Sequence, residues 1–453
     1  MQSGGGGMED FRRVADSVAA DIASGRLRPG ERLPAQRAFA RSRDIADSTA
    51  ARVYAELARR GLVVGEVGRG TFVRAAARAP HPALTEPAAA RIDLELNHPV
   101  VPEQSALLGA GLERLLRPDV LDRVLAPAAV PGTGAAREAA ASLLAAGGWA
   151  PRPDDVLFAG NGRQAIAAAI SALVPPGGRL AVEALTYPVV KGIAARLGVT
   201  LVPIPVDEQG LNPAALAHAY PAAPFTAVYV QPVLHNPRGT TMPPERRGAL
   251  AAMLGHLDVH AVEDRVWAFL RADAPPPLAA LAPARTIVVD SLSKRLAPGL
   301  SVGFAVAPPP LSGRVAAALR SGAWGPSGFA LDAATGWITG GTVQAITEAK
   351  RADAASRQGI AAERLAGFAI RADPRSYFCW WDLPAPWRAE TFVAAAARRG
   401  IAVTPGAAFT AGSAAAPRSV RLGLASPPPE TLGGALGVLA EIAKGTPDDT
   451  PVD

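Results

Sequence analysis

The 453-residue sequence contains a single cysteine, Cys379, so no disulfide can form within the chain. Aromatic residues make up only 5% of the sequence against 49% hydrophobic residues, which predicts a core built mainly from aliphatic side chains. No apolar run approaches the roughly 20 residues of a membrane-spanning helix. Residues 1–7 lack the apolar stretch of a signal peptide and are expected to form a flexible tail before folding starts at Met8. These absences favour a protein of the reducing cytoplasm.

Lysine is absent from the first 74 residues, which nevertheless carry most of the net positive charge of the chain. They contain 13 Arg against 9 Asp and Glu, so this stretch has a net charge of +4 out of +6 for the chain. A small basic segment on a nearly neutral remainder indicates contact with an anion, although a solvated arginine-rich surface gives the same count. The length is sufficient for two or three domains.

Residues 8–74, called the head here, have the pattern of three helices followed by a hairpin. Apolar side chains recur with helical spacing in the first helix. The second helix is predicted to begin at Pro34, and the third near Ser48, a good N-cap. Two β-rich runs, Leu62–Val64 and Thr71–Val73, flank a glycine-rich tip. This order is typical of a winged helix-turn-helix.

Residues 75–91 are rich in Ala and Pro without periodicity and are interpreted as a linker. Residues 92–445, called the body here, alternate short apolar runs with Ala-rich helical stretches, which is typical of an α/β domain with a mainly parallel sheet. We expect a large subdomain at about residues 131–310 and a small one from residues 92–130 and 311–445. The predicted strands are Val156–Phe158, Leu180–Val182, Thr200–Ile204, Ala227–Val230, Val259–Val262, Thr286–Val289, Phe378–Trp381 and Ser419–Leu424.

Three separated segments of the head, Gly25–Arg37, Thr49–Val63 and Gly68–Val73, resemble in the right order the GntR family of winged-helix repressors. The resemblance implies that the head binds double-stranded operator DNA. The residues predicted to contact DNA lie in the second helix, the third helix and the wing tip, and are Arg37, Ser48, Thr49, Arg52 and Arg69.

Helical spacing supports this interpretation, because Val53 falls on the face of the third helix opposite Ser48 and Arg52. Hydroxyls and a guanidinium on an exposed face can contact phosphates or base edges. An alternative is a winged helix that serves only as a protein-interaction module. The family usually begins this helix with Ser-Arg, whereas Ala46 and Asp47 stand here. Because Asp47 repels phosphate, a weaker affinity or an unusual operator is expected.

In the body, the segment Val289–Leu300 resembles the lysine motif of fold-type I aminotransferases, and Lys294 matches the lysine that binds pyridoxal 5′-phosphate. Desolvation just past a buried strand lowers the pKa of a lysine, so that its amine can attack an aldehyde. The resemblance implies three further cofactor contacts. Asp264 would pair with the pyridine nitrogen, Asn236 with the phenolic oxygen, and Tyr187 would stack on the ring.

A phosphate cradle is predicted where backbone amides and a helix N-terminus follow a strand. The residues assigned to it and to the adjacent lysine motif are Asn161, Gly162, Arg163, Ser291 and Ser293. Arg421 matches the arginine that binds a substrate carboxylate through two parallel hydrogen bonds.

Two departures from the family concern the cofactor. Ser301 stands where the family has a phosphate-binding arginine, and the loss of such a contact costs on the order of 1.5–3 kcal/mol. Val266 and Trp267 occupy the places where the family has a tyrosine. A weaker hold on the cofactor is therefore expected. No metal site is predicted, since His256 and His260 are four residues apart without supporting ligands.

A GntR-like head joined to an aminotransferase-like body is the architecture of the MocR-type regulators. The resemblance implies an α/β fold of the fold-type I transferase kind preceded by a winged helix-turn-helix, and a homodimer. It also implies a body that senses pyridoxal phosphate or a small amine or amino acid that reacts with it. In this hypothesis, the effector's amine displaces Lys294 and the released body reorients the heads.

Two alternatives remain open. One is a pyridoxal-phosphate-dependent aminotransferase with a tethered DNA-binding head, although Ser301 and Trp267 argue against efficient turnover. The other is a repressor whose cofactor-free body is only a dimerisation scaffold.

Overall fold

The computed structural model describes residues 6–23, 26–27, 31–60, 62–66, 70–73, 90–125, 128–412 and 416–447. The predicted linker, residues 75–91, lies almost wholly outside the described residues. So does Arg69 at the predicted wing tip.

The head contains three helices and a two-stranded antiparallel hairpin, as the pattern predicts. The elements are α1 (Gly6–Ala23), α2 (Gln36–Ser42), α3 (Asp47–Arg59), β1 (Val63–Glu66) and β2 (Gly70–Val73). Its core contains Phe11, Val53 and Leu57, each at most 3% exposed. Burial of such side chains contributes about 1.5–3 kcal/mol each. This small core is separate from those of the body.

Three details of the head differ from the sequence prediction. The first helix begins at Gly6, ahead of Met8. Pro34 lies before α2, where its carbonyl accepts a hydrogen bond from the hydroxyl of Tyr54 instead of starting the helix. Ser48 is the second residue of α3, because Ala46 occupies the N-cap position without a side-chain hydrogen bond and Asp47 is the first helical residue.

The strands of the body extend the predicted set by several short ones. They are β3 (Ile92–Asp93), β4 (Val156–Ala159), β5 (Arg179–Glu183), β6 (Thr200–Ile204), β7 (Val206–Asp207), β8 (Gly210–Leu211), β9 (Ala227–Val230), β10 (His260–Asp264), β11 (Thr286–Ser291), β12 (Gly303–Val306), β13 (Ala369–Arg371), β14 (Phe378–Asp382), β15 (Ile401–Ala402), β16 (Thr404–Pro405) and β17 (Ser419–Gly423).

The helices of the body pack on both faces of its main sheet and on the small subdomain. They are α4 (Gln104–Leu112), α5 (Pro118–Val124), α6 (Gly134–Leu144), α7 (Gly162–Leu173), α8 (Pro188–Arg196), α9 (Pro213–Ala219), α10 (Pro244–His256), α11 (Leu278–Leu281), α12 (Leu292–Arg295), α13 (Pro309–Ser321), α14 (Gly328–Thr339), α15 (Thr342–Arg364), α16 (Ala389–Arg398) and α17 (Pro429–Lys444). Within the described ranges, no helix is both long and apolar enough to cross a membrane.

The main sheet has seven strands in the order β4-β12-β11-β10-β9-β5-β6. The pairs from β11 to β6 are parallel, as predicted, and β12 runs antiparallel between β11 and β4. β12 was not predicted, because two of its four residues, Gly303 and Ala305, are of types that are rare in strands. A Cβ on Gly303 would lie 2.3 Å from the carbonyl oxygen of Asn161, so only glycine allows β12 to pass this close to the loop before α7.

The small subdomain is built on the antiparallel sheet β13-β14-β17-β16, and β3 pairs in parallel with β15. Its extent differs from the predicted one. Leu311 and Val315 of α13 belong to the core around α7, while Leu108 and Val120 of α4 and α5 pack with strands of the large subdomain. Only the start of the 92–130 segment therefore joins the small subdomain, because the apolar faces of the following helices are buried elsewhere.

An ionic contact joins the head to the small subdomain. Asp16 of α1 accepts a hydrogen bond from Arg60 at 2.8 Å and forms an ion pair with Arg388, the residue before α16. Arg60 also bonds the buried carboxylate of Glu56 at 2.7 Å. Asp16 thus lies between an arginine of each domain.

Candidate functional site

A cavity of about 520 Å³ lies between the large and small subdomains. Its floor is formed where parallel strands of the main sheet end, with Asp264 at the end of β10 and Ser291 at the end of β11. Ligand sites of open α/β sheets form at this edge. The small subdomain contributes Asn97, Thr404 and Arg421.

All ten residues that the sequence analysis assigned to the cofactor and the effector line this one cavity. They are Asn161, Gly162, Arg163, Tyr187, Asn236, Asp264, Ser291, Ser293, Lys294 and Arg421. The arrangement brings them together from positions up to 260 residues apart, whereas their individual roles stay predictions.

Lys294 lies on the one-turn helix α12, directly after β11. Burial, together with the nearby charges of Arg163, Arg421 and Lys350, lowers the pKa of its amine to about 7. The Nζ atom donates a hydrogen bond to the carbonyl of Asn97 at 2.6 Å and lies 5.4 Å from the ring centre of Trp267. A substantial fraction of this amine is therefore uncharged at neutral pH, as nucleophilic attack requires.

Asp264 is a buried carboxylate with three hydrogen-bond donors. The hydroxyl of Tyr229 and the side-chain amide of Gln231 donate to Oδ2 at 2.6 and 2.8 Å, and the amide of Val266 donates to Oδ1 at 3.0 Å. Burial raises its pKa to about 6, and these three hydrogen bonds oppose that effect. The carboxylate is thus mainly ionised at pH 7.5 and is fixed in orientation.

The predicted phosphate cradle lies at the N-terminus of α7. The side chain of Asn161 caps this helix by accepting from the amide of Gln164 at 3.0 Å. A Cβ on Gly162 would lie 3.0 Å from the hydroxyl oxygen of Ser291, so glycine leaves the space between the helix and β11 free. Helix amides, the Arg163 guanidinium and serine hydroxyls are the donor set that a phosphate group requires.

Ser301, which stands in the place of the family's arginine, does not leave a gap. Its hydroxyl forms a hydrogen bond with the hydroxyl of Ser293. Arg295 cannot substitute for the missing arginine, because its guanidinium turns away from this cavity and bonds Asp290 at 2.8 Å. The cradle therefore holds one guanidinium, that of Arg163.

Arg421 of β17 is buried at the small-subdomain side of the cavity. Its Nη2 atom donates to the hydroxyl of Thr404 at 3.1 Å and to the carbonyl of Glu95, and its Nη1 atom lies 3.5 Å from the side-chain oxygen of Asn236. Its Nε atom is buried without a hydrogen-bond partner among the described residues. Burial lowers the pKa of this guanidinium to about 10. An anionic ligand group would supply the missing partner.

The sequence analysis did not find several residues that line or support the cavity. Tyr229 and Gln231 bond Asp264 from a neighbouring strand, and no local sequence signal marks a partner 35 or 33 positions away. Trp267 was noted only as a departure, yet its ring faces Lys294. Asn97, which bonds Lys294, precedes it by almost 200 residues.

In the head, four of the five predicted DNA-contacting residues fall in the described part of the chain. Arg37, Ser48 and Arg52 are exposed, and Thr49 is half-buried. The guanidinium of Arg52 stacks on the ring of Phe11 at 4.2 Å, which orients it along the face of α3. The exposed side chains of α2 and α3 thus form one surface with an excess of arginine.

His256 and His260 do not form a metal site. The first ends α10 and the second begins β10, so they do not share a helix face. The described residues contain no group of three or more His, Cys, Asp or Glu side chains that can hold a metal ion.

A buried lysine after one strand of a mainly parallel sheet, with an aspartate at the end of the neighbouring strand, is the arrangement of the fold-type I aminotransferases, whose cofactor is pyridoxal 5′-phosphate. Residues 128–439 match the model of the aminotransferase class I and II family, and the chain belongs to that family. Residues 11–73 match the model of bacterial regulatory proteins of the gntR family. This combination confirms the resemblance to MocR-type regulators and implies that the head binds DNA.

Several relatives of the chain are transcription regulators. The chain is 27% identical over 419 residues to the uncharacterized HTH-type transcriptional regulator YdeF of Bacillus subtilis, covering 92% of this chain and 90% of that protein. It is 30% identical to the HTH-type transcriptional regulator TauR of Rhodobacter capsulatus, with 67% and 69% covered. It is 28% identical to the pyridoxine biosynthesis transcriptional regulator PdxR of Corynebacterium glutamicum, with 68% of each covered.

Solved structures support the fold of the body. An archaeal alanine:glyoxylate aminotransferase superposes with a TM-score of 0.72 at 22% identity, covering 78% of this chain and 90% of that chain. The kynurenine aminotransferase of Pyrococcus horikoshii gives 0.71 at 23% identity, covering 79% and 91%. These likenesses establish the fold alone.

Proposed function

We propose that this chain is a DNA-binding transcription regulator whose body binds pyridoxal phosphate through Lys294 and senses a small amine or amino acid. The observation that carries the proposal is a single cavity that holds the buried amine of Lys294, an ionisable Asp264 and a buried Arg421. When bound, the cofactor supplies an aldehyde that amines attack and a ring that accepts electrons.

The residues of the large subdomain have distinct tasks in this proposal. Lys294 presents an amine of lowered pKa as the covalent anchor. Asp264 would hold a proton on the ring nitrogen, with its carboxylate fixed in place by Tyr229 and Gln231. Tyr187 would stack on the ring, Asn236 would bond the phenolic oxygen, and the cradle at the start of α7 would bind the phosphate.

The effector is held from the small subdomain. Arg421 has a buried Nε atom without a partner among the described residues and an Nη1 atom with one contact at 3.5 Å, so its guanidinium keeps donors for an effector carboxylate. The effector's amine then competes with Lys294 for the same covalent position. A molecule with an amine and a carboxylate would bridge the two subdomains through Arg421, whereas Lys294 contacts the small subdomain through its hydrogen bond to the carbonyl of Asn97.

This bridging reaches the head through the ion pair between Asp16 and Arg388. Arg388 lies at the start of α16 in the small subdomain, so a shift of that subdomain acts on α1. A homodimer would place two heads on two operator half-sites. A DNA-binding function of this kind places the protein in the cytoplasm.

The test begins with cofactor capture. The purified chain is saturated with pyridoxal phosphate, reduced with borohydride and digested, and the modified peptide is identified by mass spectrometry. The expected result is one cofactor fixed on Lys294. No fixed cofactor at saturation would refute the sensor and favour a body that serves as a dimerisation scaffold.

A second measurement separates sensing from catalysis. Candidate amino acids are screened for a change in both cofactor absorbance and operator affinity. An amine that changes both supports the proposed regulator. Sustained conversion of an amino acid and a keto acid, without any effect on operator binding, would instead identify an aminotransferase with a tethered head.

A further inference from the structure

A second cavity, of about 130 Å³, lies behind the floor of the main one. It is formed by the end of α6, the segment after β10, the end of α12 and the middle of α15. Its charged lining consists of Arg265, Arg271, Arg295, Arg351 and Asp290. Asp290 is the one residue that lines both cavities. No role in the main site accounts for four arginines here.

The positive charge of this cavity is incompletely compensated. Arg295 is only 8% exposed, bonds Asp290 through Nη2, and has a buried Nε atom without a hydrogen-bond partner in the described part of the chain. The Nε atom of Arg351 donates a hydrogen bond to a backbone carbonyl, that of Phe269, at 2.7 Å. Burial lowers the pKa of Arg351, and the charge of Arg295 lowers it further.

The other two arginines have acidic partners outside the cavity. Arg265 lies 3.3 Å from Glu263, which also faces Arg247 at 3.6 Å. Arg271 bonds Asp273 at 2.8 Å and lies 3.3 Å from Asp373. These carboxylates neutralise the rim and leave Arg295 and Arg351 facing a cavity with Asp290 as its one acidic lining residue.

We propose that the second cavity binds a small tetrahedral oxyanion such as phosphate or sulfate. Guanidinium groups donate paired hydrogen bonds to such an anion. A bound anion would accept a hydrogen bond from the Nε atom of Arg295 and would reduce the repulsion between the positive charges of Arg295 and Arg351. The volume equals that of about four water molecules, which suits a free oxyanion and is too small for a ring-bearing cofactor. This proposal does not depend on cofactor binding in the main cavity.

Inorganic phosphate is the probe, titrated into the full chain by calorimetry in a chloride buffer of low ionic strength. Because phosphate can also enter the cradle at α7, the titration is made with the Arg163→Gln variant. The expected result is one phosphate per chain in that variant. Adding Arg351→Gln, or independently Arg295→Ser, is expected to weaken this binding by about tenfold or more, since each removes charge-assisted hydrogen bonds.

The matched control is Arg320→Gln, an exposed arginine of α13 outside both cavities, which is expected to leave the affinity unchanged. Circular dichroism verifies that each variant is folded. If Arg295→Ser does not fold, Arg351→Gln still tests the site, because the side chain of Arg351 is only half-buried. The proposal is overturned if Arg163→Gln abolishes all phosphate binding, if the unmodified chain binds none, or if Arg320→Gln weakens binding as much as Arg351→Gln does.

Discussion

The head and the body present their candidate functional residues in opposite environments. In the head, Arg37 and Arg52 are exposed and lie within 16 positions of each other. In the body, Lys294 and Arg421 are buried and come from different subdomains. A surface that binds DNA needs positive charge on an exposed helix face. A covalent sensor needs reactive groups that are held away from water, and burying such polar groups costs free energy of folding. Four substitutions test this contrast.

The largest expected effect is that of Lys294→Ala. Without the amine, no cofactor can be fixed by borohydride, and the effector's influence on operator binding should be lost entirely. The affinity for operator without effector should remain, because the head folds around its own core. Gel-shift titrations with and without effector measure both quantities. An effector response that persists in this variant would remove Lys294 from the sensing mechanism.

The second prediction concerns the cost of burying Asp264. Its pKa is raised from 3.8 to about 6, so the folded chain binds this proton more tightly than the unfolded chain does. The folded chain therefore loses stability relative to the unfolded chain as the pH rises through 6. That difference corresponds to about 3 kcal/mol. Relative to the unmodified ligand-free chain, Asp264→Asn should therefore gain up to this amount in free energy of unfolding between pH 4 and pH 7.5.

Denaturant unfolding at several pH values gives the free energy of unfolding of both proteins. Because the gain is their difference, the contributions of all other titrating groups cancel. Asp122→Asn, at an exposed position of α5, is the matched control and should unfold in parallel with the unmodified chain. If the difference in free energy of unfolding between Asp264→Asn and the unmodified chain stayed constant across this pH range, burial would not raise the pKa of this carboxylate.

The third prediction tests the head. Arg52→Ala should weaken operator binding by about tenfold and reduce the salt dependence of binding by about one phosphate contact. Stability should fall only by about 0.5–1 kcal/mol, from loss of the stacking on Phe11. Binding is measured at three salt concentrations with Arg320→Ala as the control. An unchanged salt slope would place Arg52 away from the DNA backbone.

The smallest effect is expected from Asp47→Asn. Removing the negative charge at the start of α3 should tighten operator binding a few-fold, because the carboxylate repels phosphate. The same change should lower stability by about 0.3–1 kcal/mol, since an acidic residue in the first turn favours the helix dipole. Weaker binding in this variant would indicate that Asp47 contacts a base instead.

Much of the body could be predicted from local patterns. Strands such as Thr200–Ile204 and Ala227–Val230 match the predicted ranges, because buried parallel strands are short apolar runs between polar turns. β12 was missed because two of its four residues, Gly303 and Ala305, are of types that are rare in strands, and its position depends on the close approach of Gly303 to Asn161. The helix start at Pro34 and the N-cap role of Ser48 were wrong, since Ala35 and Ala46 occupy the cap positions without side-chain hydrogen bonds, although the third helix does start near Ser48.

The sequence by itself determined the two-part organisation, the sheet class and ten of the residues that line the main cavity, because each belongs to a pattern or motif within a short segment. Only the tertiary structure decided what surrounds those residues. Tyr229 and Gln231 reach Asp264 across strands, Asn97 meets Lys294, and Arg295 turns to a second cavity. The pKa of a buried lysine or carboxylate depends on all neighbours within a few ångströms, and chain packing brings those neighbours from distant positions.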